Sequence, residues 1–325
     1  MTLFASVGYQ GNWLEVLQAE FMRNAIIGGV IVALAAGVLG YFVVVRQHAF
    51  AAHALAHIGF PGATGAVLIG IPVTAGLAVF TVAGALAIGF LGKKLADREI
   101  ATGTILAFAT GLGILFNSLA TKNANAVTNV LFGNLLAISP DQLVTFAAFT
   151  AVLLVVLATI ARPLTFASVN PHVAEAKGVP VRALGVAFMV LLALVITMAV
   201  QVVGTLLLFG LVVTPSATAL AITARPALVA IIGTGIGLAS VIGGLVLSAM
   251  FNLPPSFFIV TIAFVTWGVT LLVTRDRHAT PPDPNRTPGP SETSESAAPH
   301  NHRPVEVAAT SGTARDLVRP CPHDQ

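Results

Sequence analysis

The feature that most constrains this chain is a series of apolar stretches, each long enough to cross a lipid bilayer as a helix. About 20 apolar residues, each rising about 1.5 Å, cover the roughly 30 Å hydrocarbon core of a membrane. Of 325 residues, 56% are hydrophobic and only 9% are charged, so water cannot be the main solvent. We therefore predict an all-α, polytopic transmembrane helical bundle of about nine spans, with eight to ten compatible with the pattern. The predicted spans are 24–45, 53–71, 73–92, 101–120, 141–161, 183–200, 202–223, 227–249 and 256–274.

The basic residues predict how this bundle is oriented. If nine spans alternate across the bilayer, the connections between spans that carry Lys or Arg fall on one side. The positive-inside rule makes that side cytoplasmic. These connections contain Arg46, Lys93, Lys94, Arg98, Arg162, Lys177, Arg182, Arg225, Arg275 and Arg277. The opposite loops contain only Lys122, with Arg23 before the first span, so we predict the N-terminus outside and the C-terminus inside. Because the cations lie in short loops and form no single patch, the net charge of +3 indicates no nucleic-acid partner.

Composition divides the chain into three segments. Residues 1–20 alternate apolar and polar positions around Trp13, which favours an interfacial segment on membrane lipid, although a loosely ordered terminus fits equally. Residues 21–274 form the predicted transmembrane domain. Residues 275–325 are rich in Pro, Ser, Thr, Glu and His, which predicts a disordered cytoplasmic tail with incidental histidines. Cys321 is the only cysteine, so an intramolecular disulfide or a thiol-based zinc cage is excluded.

Three histidines lie at or inside one predicted span, in the stretch RQHAFAAHALAHIGFPGATGA. An ionisable side chain in hydrocarbon is costly and usually faces a wet cavity or an ion path. His53 and His57 are four residues apart, so on a helix their Cβ atoms lie about 5–6 Å apart on one face. We predict that they form a transient metal site; the alternative is that both bond to neighbouring groups and serve packing only. Neutral imidazoles favour zinc, whereas a manganese site more often includes carboxylates.

The surroundings of this pair add two expectations. Gly59, Pro61 and Gly62 follow His57 closely, so a kink is expected there, and a broken helix would expose carbonyl groups to a cavity. His48 lies nearer the interface and is expected to contact lipid headgroups or a loop.

Several other chemistries are disfavoured by missing residues. Ala54 stands where an HExxH zinc protease needs its glutamate, so an intramembrane zinc enzyme is a weak alternative. No GxxxxGK[ST] phosphate loop occurs, so the chain is not an ATPase and needs a partner or an ion gradient for energy. A gradient-driven secondary transporter remains an alternative. However, the span interiors lack the carboxylates of proton coupling, apart from Glu99 at one margin.

Six blocks in one order give the chain a resemblance to the permease family of ABC importers for zinc, manganese and iron, often called the ABC-3 family. The resemblance covers roughly Phe21–Val273. The blocks are Arg23–Gly62, Glu99–Phe116, Leu131–Ser139, Asn170–Val181, Gln201–Ala219 and Gly244–Val260. His57 matches the histidine of the family pattern. His53 stands where the family usually has aspartate, which keeps a possible ligand, removes a negative charge and favours zinc over manganese.

The resemblance implies the permease subunit of a divalent-metal importer in a bacterial plasma membrane, with no permanently bound cofactor. The histidine pair makes Zn²⁺ the expected cargo. It also implies alternating access in a homodimer, a cytoplasmic ABC ATPase and an extracellular metal-binding protein. Manganese or iron is the alternative cargo, and an organic cargo such as a siderophore or cobalamin is a further one.

A cytoplasmic segment resembles the helix with which such permeases dock into the ATPase; an ordinary surface helix is the alternative. Its residues are Asn170, Pro171, His172, Val173, Ala174, Glu175, Ala176, Lys177, Gly178 and Val179. Val173, Ala176 and Val179 oppose Glu175 and Lys177 in the predicted amphipathic pattern. Elsewhere, Gln201, Thr214 and Ser216 either line the path or hydrogen-bond within the bundle, and Pro215 could break its helix.

Overall fold

The computed structural model describes residues 13–91, 95–119 and 133–275, and twelve α-helices account for most of them. In chain order they are α1 Trp13–Gln18, α2 Glu20–Val45, α3 Ala49–Ile69, α4 Val73–Leu91, α5 Leu95–Leu119, α6 Pro140–Val169, α7 Pro171–Ala176, α8 Val181–Val203, α9 Thr205–Val212, α10 Thr214–Ile222, α11 Pro226–Phe251 and α12 Pro255–Arg275. A short 3₁₀ turn, Leu135–Ala137, precedes α6.

Eight of these helices are long and apolar enough to cross a membrane, namely α2, α3, α4, α5, α6, α8, α11 and α12. The predicted all-α transmembrane bundle is therefore confirmed. The predicted orientation stays a prediction. Within the first predicted segment α1 is helical, whereas residues 1–12 and the predicted tail from residue 276 onward lie outside the described residues.

The seventh predicted span, 202–223, is instead two short helices that meet at Val213. Gly204, with a φ of 84°, ends α8 and starts α9. Pro215 stands in the first turn of α10, where its missing N–H removes the bond that a continuous helix would make to Leu211. The predicted span is therefore interrupted at Gly204. At Val213 the helical bonds persist, because its N–H donates to the carbonyl of Phe209 and its carbonyl accepts from the N–H of Ala217.

The interior of the bundle is built on α2, α3 and α8, which are the most buried of the long helices, whereas α5, α6 and α12 expose most of their apolar surface. Helix α3 packs against α4 and α5, and α2 packs against α11. At the crossing of α3 and α4, a Cβ on Gly62 would collide with the carbonyl of Gly76, and a Cβ on Gly76 with that of Gly62. Such close approach is typical of membrane helices, whose contacts depend on packing.

The start of α9 is anchored by a second close approach. Gly133, with a φ of 72°, packs against the backbone of Gly204. A Cβ on Gly133 would be only 2.5 Å from the backbone nitrogen of Gly204. The N–H of Asn134 also donates to the carbonyl of Gln201 at 3.2 Å. Two blocks that are about 70 residues apart in sequence thus meet where α8 ends.

Candidate functional site

The histidine pair lies on α3, and its two rings are in contact. The ring centroids of His53 and His57 are 4.8 Å apart, with an angle of 72° between the ring planes. Both side chains are half-buried. Within the described residues neither ring makes a hydrogen bond, and Nδ1 of His53 is fully buried without a partner. An imidazole nitrogen that carries no proton has a lone pair that can bind a divalent ion.

A phenylalanine on the short helix α9 packs against one member of this pair. The ring of Phe209 meets that of His53 edge to face, with 6.0 Å between centroids and an angle of 88°. Sequence reasoning missed Phe209, because a contact between residues 156 positions apart leaves no local pattern. The interruption of the apolar stretch was the only available signal.

Helix α3 continues through Pro61 to Ile69, so the helix break considered from the sequence is absent. The hydroxyl of Thr64 donates to the carbonyls of Phe60 and Pro61, at 3.1 and 3.3 Å. Pro61 itself has no N–H, so the carbonyl of His57 lacks its usual helical donor. One backbone oxygen beside the pair is left in need of another partner.

His48 is buried, with only 3% of its side chain exposed, so of the two expected contacts the one with a loop is found and the one with lipid headgroups is not. Its Nδ1–H donates to the carbonyl of Arg46 at 2.7 Å, and its Nε2 accepts from Nη1 of Arg98 at 3.1 Å. A guanidinium can only donate, which fixes these roles. Burial, followed by the charges of Arg98 and Arg46, lowers the pKa of His48 to about 4. The ring is therefore neutral at physiological pH.

Arg46 contacts two further helices. Its Nη1 donates to the hydroxyl of Ser168 on α6 at 3.1 Å, and its guanidinium carbon lies 5.5 Å from the ring centroid of Phe188 on α8. Burial and the nearby charge of Arg98 lower the pKa of Arg46. Its Nε is buried without a hydrogen-bond partner among the described residues.

The segment expected to dock into an ATPase contains the short helix α7. The side chain of Asn170 caps this helix by accepting a bond from the N–H of Val173 at 3.2 Å. Ala174 is the buried residue of this helix, whereas Val173 and Ala176 of the predicted apolar face are exposed, so the amphipathic docking face stays a prediction. Lys177 instead places its Nζ 5.8 Å from the ring centroid of Phe166 on α6. An apolar side chain exposed at this position, as Val173 is, offers a contact to a partner.

The other polar candidates lie in the packing of the bundle. Gln201 accepts from the hydroxyl of Thr74 at 2.8 Å and donates to the carbonyl of Thr197 at 3.1 Å. The carbonyl of Thr214 accepts from the hydroxyl of Thr218 at 2.8 Å. Ser216 is fully buried against Gly40. Hydrogen bonding within the bundle therefore accounts for Gln201, and Ser216 lines no open path in this structure.

Sequence comparisons place this architecture among transport proteins. The family model described as the ABC 3 transport family matches residues 18–274. The manganese transport system membrane protein MntC of Listeria monocytogenes is 30% identical over 258 residues, covering 79% of this chain and 92% of that protein. A probable iron transport system membrane protein of Haemophilus influenzae is 28% identical over 266 residues, covering 78% of this chain and 97% of that protein.

A solved structure has the same fold. It is PsaBC from Streptococcus pneumoniae in complex with Fab, which this chain matches with a TM-score of 0.72 and 26% identity. The match covers 80% of this chain and 94% of the PsaBC chain. With a family model that spans most of its length and a bundle of membrane-length helices, this chain belongs to the ABC 3 transport family and is a multi-pass membrane permease.

Proposed function

We propose that this chain is the permease subunit of an ABC importer for a divalent transition metal, and that His53 and His57 contact the ion as it passes. The observation that carries the proposal is the pair of adjacent imidazoles, inside a membrane-length helix, that make no hydrogen bond with the described residues. A buried polar group without a partner destabilises a bundle. A transported ion would supply the missing partner.

A second copy of the chain would complete the site. Two imidazoles are too few for zinc, which takes four ligands in most protein sites. Over residues 13–91, 95–119 and 133–275, no group of three or more His, Cys, Asp or Glu side chains could hold one ion. We infer a homodimer in which each protomer offers one histidine pair to a shared path. A cytoplasmic ATPase and an extracellular metal-binding protein, expected from the family resemblance, would drive and supply it.

Zinc is our first candidate for the cargo, because neutral nitrogen ligands suit zinc better than manganese. Manganese or iron is the second candidate, because the relatives MntC and the Haemophilus influenzae protein are named for these metals. The two possibilities differ in what a carboxylate at position 53 would do. An oxygen ligand with a negative charge there would improve a manganese site and remove one nitrogen from a zinc site.

The site is tested by metal uptake into proteoliposomes that contain the whole transporter. We expect H53A/H57A to lower uptake of radioactive zinc by at least about tenfold, the effect of one lost contact of roughly 1.4 kcal/mol. Thr104→Ala, on the exposed side of α5, should leave uptake unchanged. Unchanged kinetics of the double variant at normal expression would reject the site.

The cargo is tested in the same vesicles by competition between zinc and manganese. His53→Asp should raise manganese uptake relative to zinc uptake. A wild-type transporter that carries manganese or iron but no zinc would reject zinc and favour the second candidate.

We also infer that Asn170–Val179 contacts the ATPase. The exposed side chain of Val173, on a capped helix, supports this assignment. Val173→Glu should reduce co-purification of the ATPase and ATP-driven uptake together. Arg225→Gln, at another exposed position between spans, is the matched control. Full ATPase binding by the Val173 variant would contradict the inference.

A further inference from the structure

Five side chains from four parts of the fold meet beside the start of α3, in a group that we name the basic clasp. Its members are Arg46, His48, Arg98, Ser168 and Phe188. Arg46 and His48 lie in the connection between α2 and α3, whereas the others come from α5, α6 and α8. Hydrogen bonds of 2.7–3.1 Å and ring contacts of 5.5 Å join them.

The position of the basic clasp along the chain links two functional segments. Ser168 precedes Asn170, the cap of α7, by two residues. At the other end, the carbonyl of His48 accepts from the N–H of Ala52 at 2.8 Å, in the turn immediately before His53. A continuous series of contacts therefore runs from the segment proposed to dock with the ATPase to the histidine pair.

The charges of the basic clasp cost stability if its only role is to pack the helices together. Arg46 and Arg98 both contact His48, and the charge of Arg98 lowers the pKa of Arg46; no carboxylate among the described side chains pairs with either guanidinium. The C-terminal end of α2, where Arg46 is the C-cap, offsets part of this cost through the helix dipole. Even so, a buried charged group is often replaceable by an apolar side chain without loss of stability. An apolar side chain, however, cannot donate the hydrogen bonds of fixed geometry by which a guanidinium links two helices.

We propose that the basic clasp transmits movement of the coupling segment to α3, with Arg46 and His48 as positioning residues. This inference rests on the proposed function of Asn170–Val179. The Arg46 guanidinium is held between the hydroxyl of Ser168 and the ring of Phe188, so a shift of α6 or α8 displaces the connection before α3. His48 then passes the displacement to the first turn of α3, because its ring is fixed by Arg98 and its carbonyl bonds to Ala52.

Two hydroxyls on α6 give a matched pair for the test. Ser168 bonds to the carbonyl of Leu164 on its own helix and also to Arg46. Among the described residues, Thr165 bonds only to the carbonyl of Ala161 on its own helix, at 2.7 Å. Both Ser168→Ala and Thr165→Ala remove a local bond, but only the first removes the link to the clasp.

The experiment measures metal ions transported per ATP hydrolysed, using the complete transporter in proteoliposomes. We expect Ser168→Ala and Arg46→Met to assemble and hydrolyse ATP normally, while transport per ATP falls about tenfold, as for one lost charged hydrogen bond. Arg46→Lys should restore part of the transport, because it keeps a donor. Thr165→Ala should match the wild type.

A second measurement requires no cargo. Hydrogen–deuterium exchange of α3 should change between the nucleotide-free and ATP-bound wild-type complex, and this change should be lost in Ser168→Ala. Unchanged transport per ATP and an unchanged exchange response in Ser168→Ala would overturn the clasp. A parallel loss of assembly, hydrolysis and transport would also overturn it, since that pattern indicates packing alone. A wild type that carries no divalent metal but shows the α3 response would refute the proposed cargo and leave the clasp standing.

Discussion

His48 gives the bundle a defined sensitivity to acid. In the folded chain its ring is buried between Arg46, Arg98 and Phe188, and its pKa is lowered to about 4 from an ordinary value of 6.5. In the unfolded chain the ring is free to take up a proton at the ordinary value. The perturbation that isolates this effect is His48→Gln, because the amide can still accept from Arg98 but does not titrate.

Proton linkage gives the sign and the size of the change in unfolding free energy with pH. Above pH 6.5 both states carry a neutral ring, so His48 contributes its full share of stability. As the pH falls from 6.5 to about 4, the unfolded state binds a proton that the folded state excludes, and the free energy of unfolding decreases. The difference between these two pKa values corresponds to about 3 kcal/mol of stability lost by pH 4.

The assay is detergent-induced unfolding in micelles, followed by circular dichroism from neutral pH to about pH 4. The wild type should lose about 3 kcal/mol more than His48→Gln across this range, because all other titrating groups are shared. His172→Gln, at an exposed position outside the long helices, is the control and should follow the wild type. Parallel stability profiles for the wild type and His48→Gln would refute the reasoning.

Two further predictions concern packing and capping. Gly62→Ala should lower the unfolding free energy by about 1–3 kcal/mol in the same assay, because its methyl group meets the backbone of Gly76. Gly103→Ala, which has open space around it, should be neutral or slightly stabilising, and equal losses at the two sites would contradict this account. Asn170→Ala should lower ATP-driven uptake severalfold at normal membrane abundance, because α7 loses a cap bond of about 1 kcal/mol; unchanged uptake would show that the cap is dispensable.

Most of the fold could be predicted because a membrane span is a local property of sequence. Length and hydropathy suffice to find α2 or α12, whose ends differ from the predicted limits by only a few residues. A break at Pro215 was considered from the sequence but did not enter the predicted span limits, since a hydropathy average passes over a single glycine and proline. Gly204 and Pro215 carried the signal, but neither one requires a break unless neighbouring helices satisfy the freed backbone groups.

In the candidate site too, contacts between residues close in sequence could be predicted, whereas contacts between distant helices could not. The spacing of His53 and His57 predicted their contact, because residues four apart on a helix are always neighbours. The burial of His48 could not be predicted, since its ring depends on Arg98, fifty residues further along the chain, and on Phe188. Contacts that join distant helices have no periodic pattern, so the sequence predicted for His48 only a contact with lipid headgroups or a loop, from its position near the interface.

The proposed ion site contains no negatively charged side chain among its predicted ligands, His53 and His57. At the ion site that we propose, imidazole nitrogens would bring lone pairs but no negative charge, so the charge of a divalent ion beside His53 would be offset only by dipoles and by ligands from the proposed second copy. Such a site binds weakly, and weak binding suits a path from which the ion must leave. An aspartate at position 53 in each protomer would add two negative charges near the ion, tightening the site and favouring harder ions. In the proposed site, the identity of this one side chain would therefore govern both how strongly the path holds its ion and which ion it prefers.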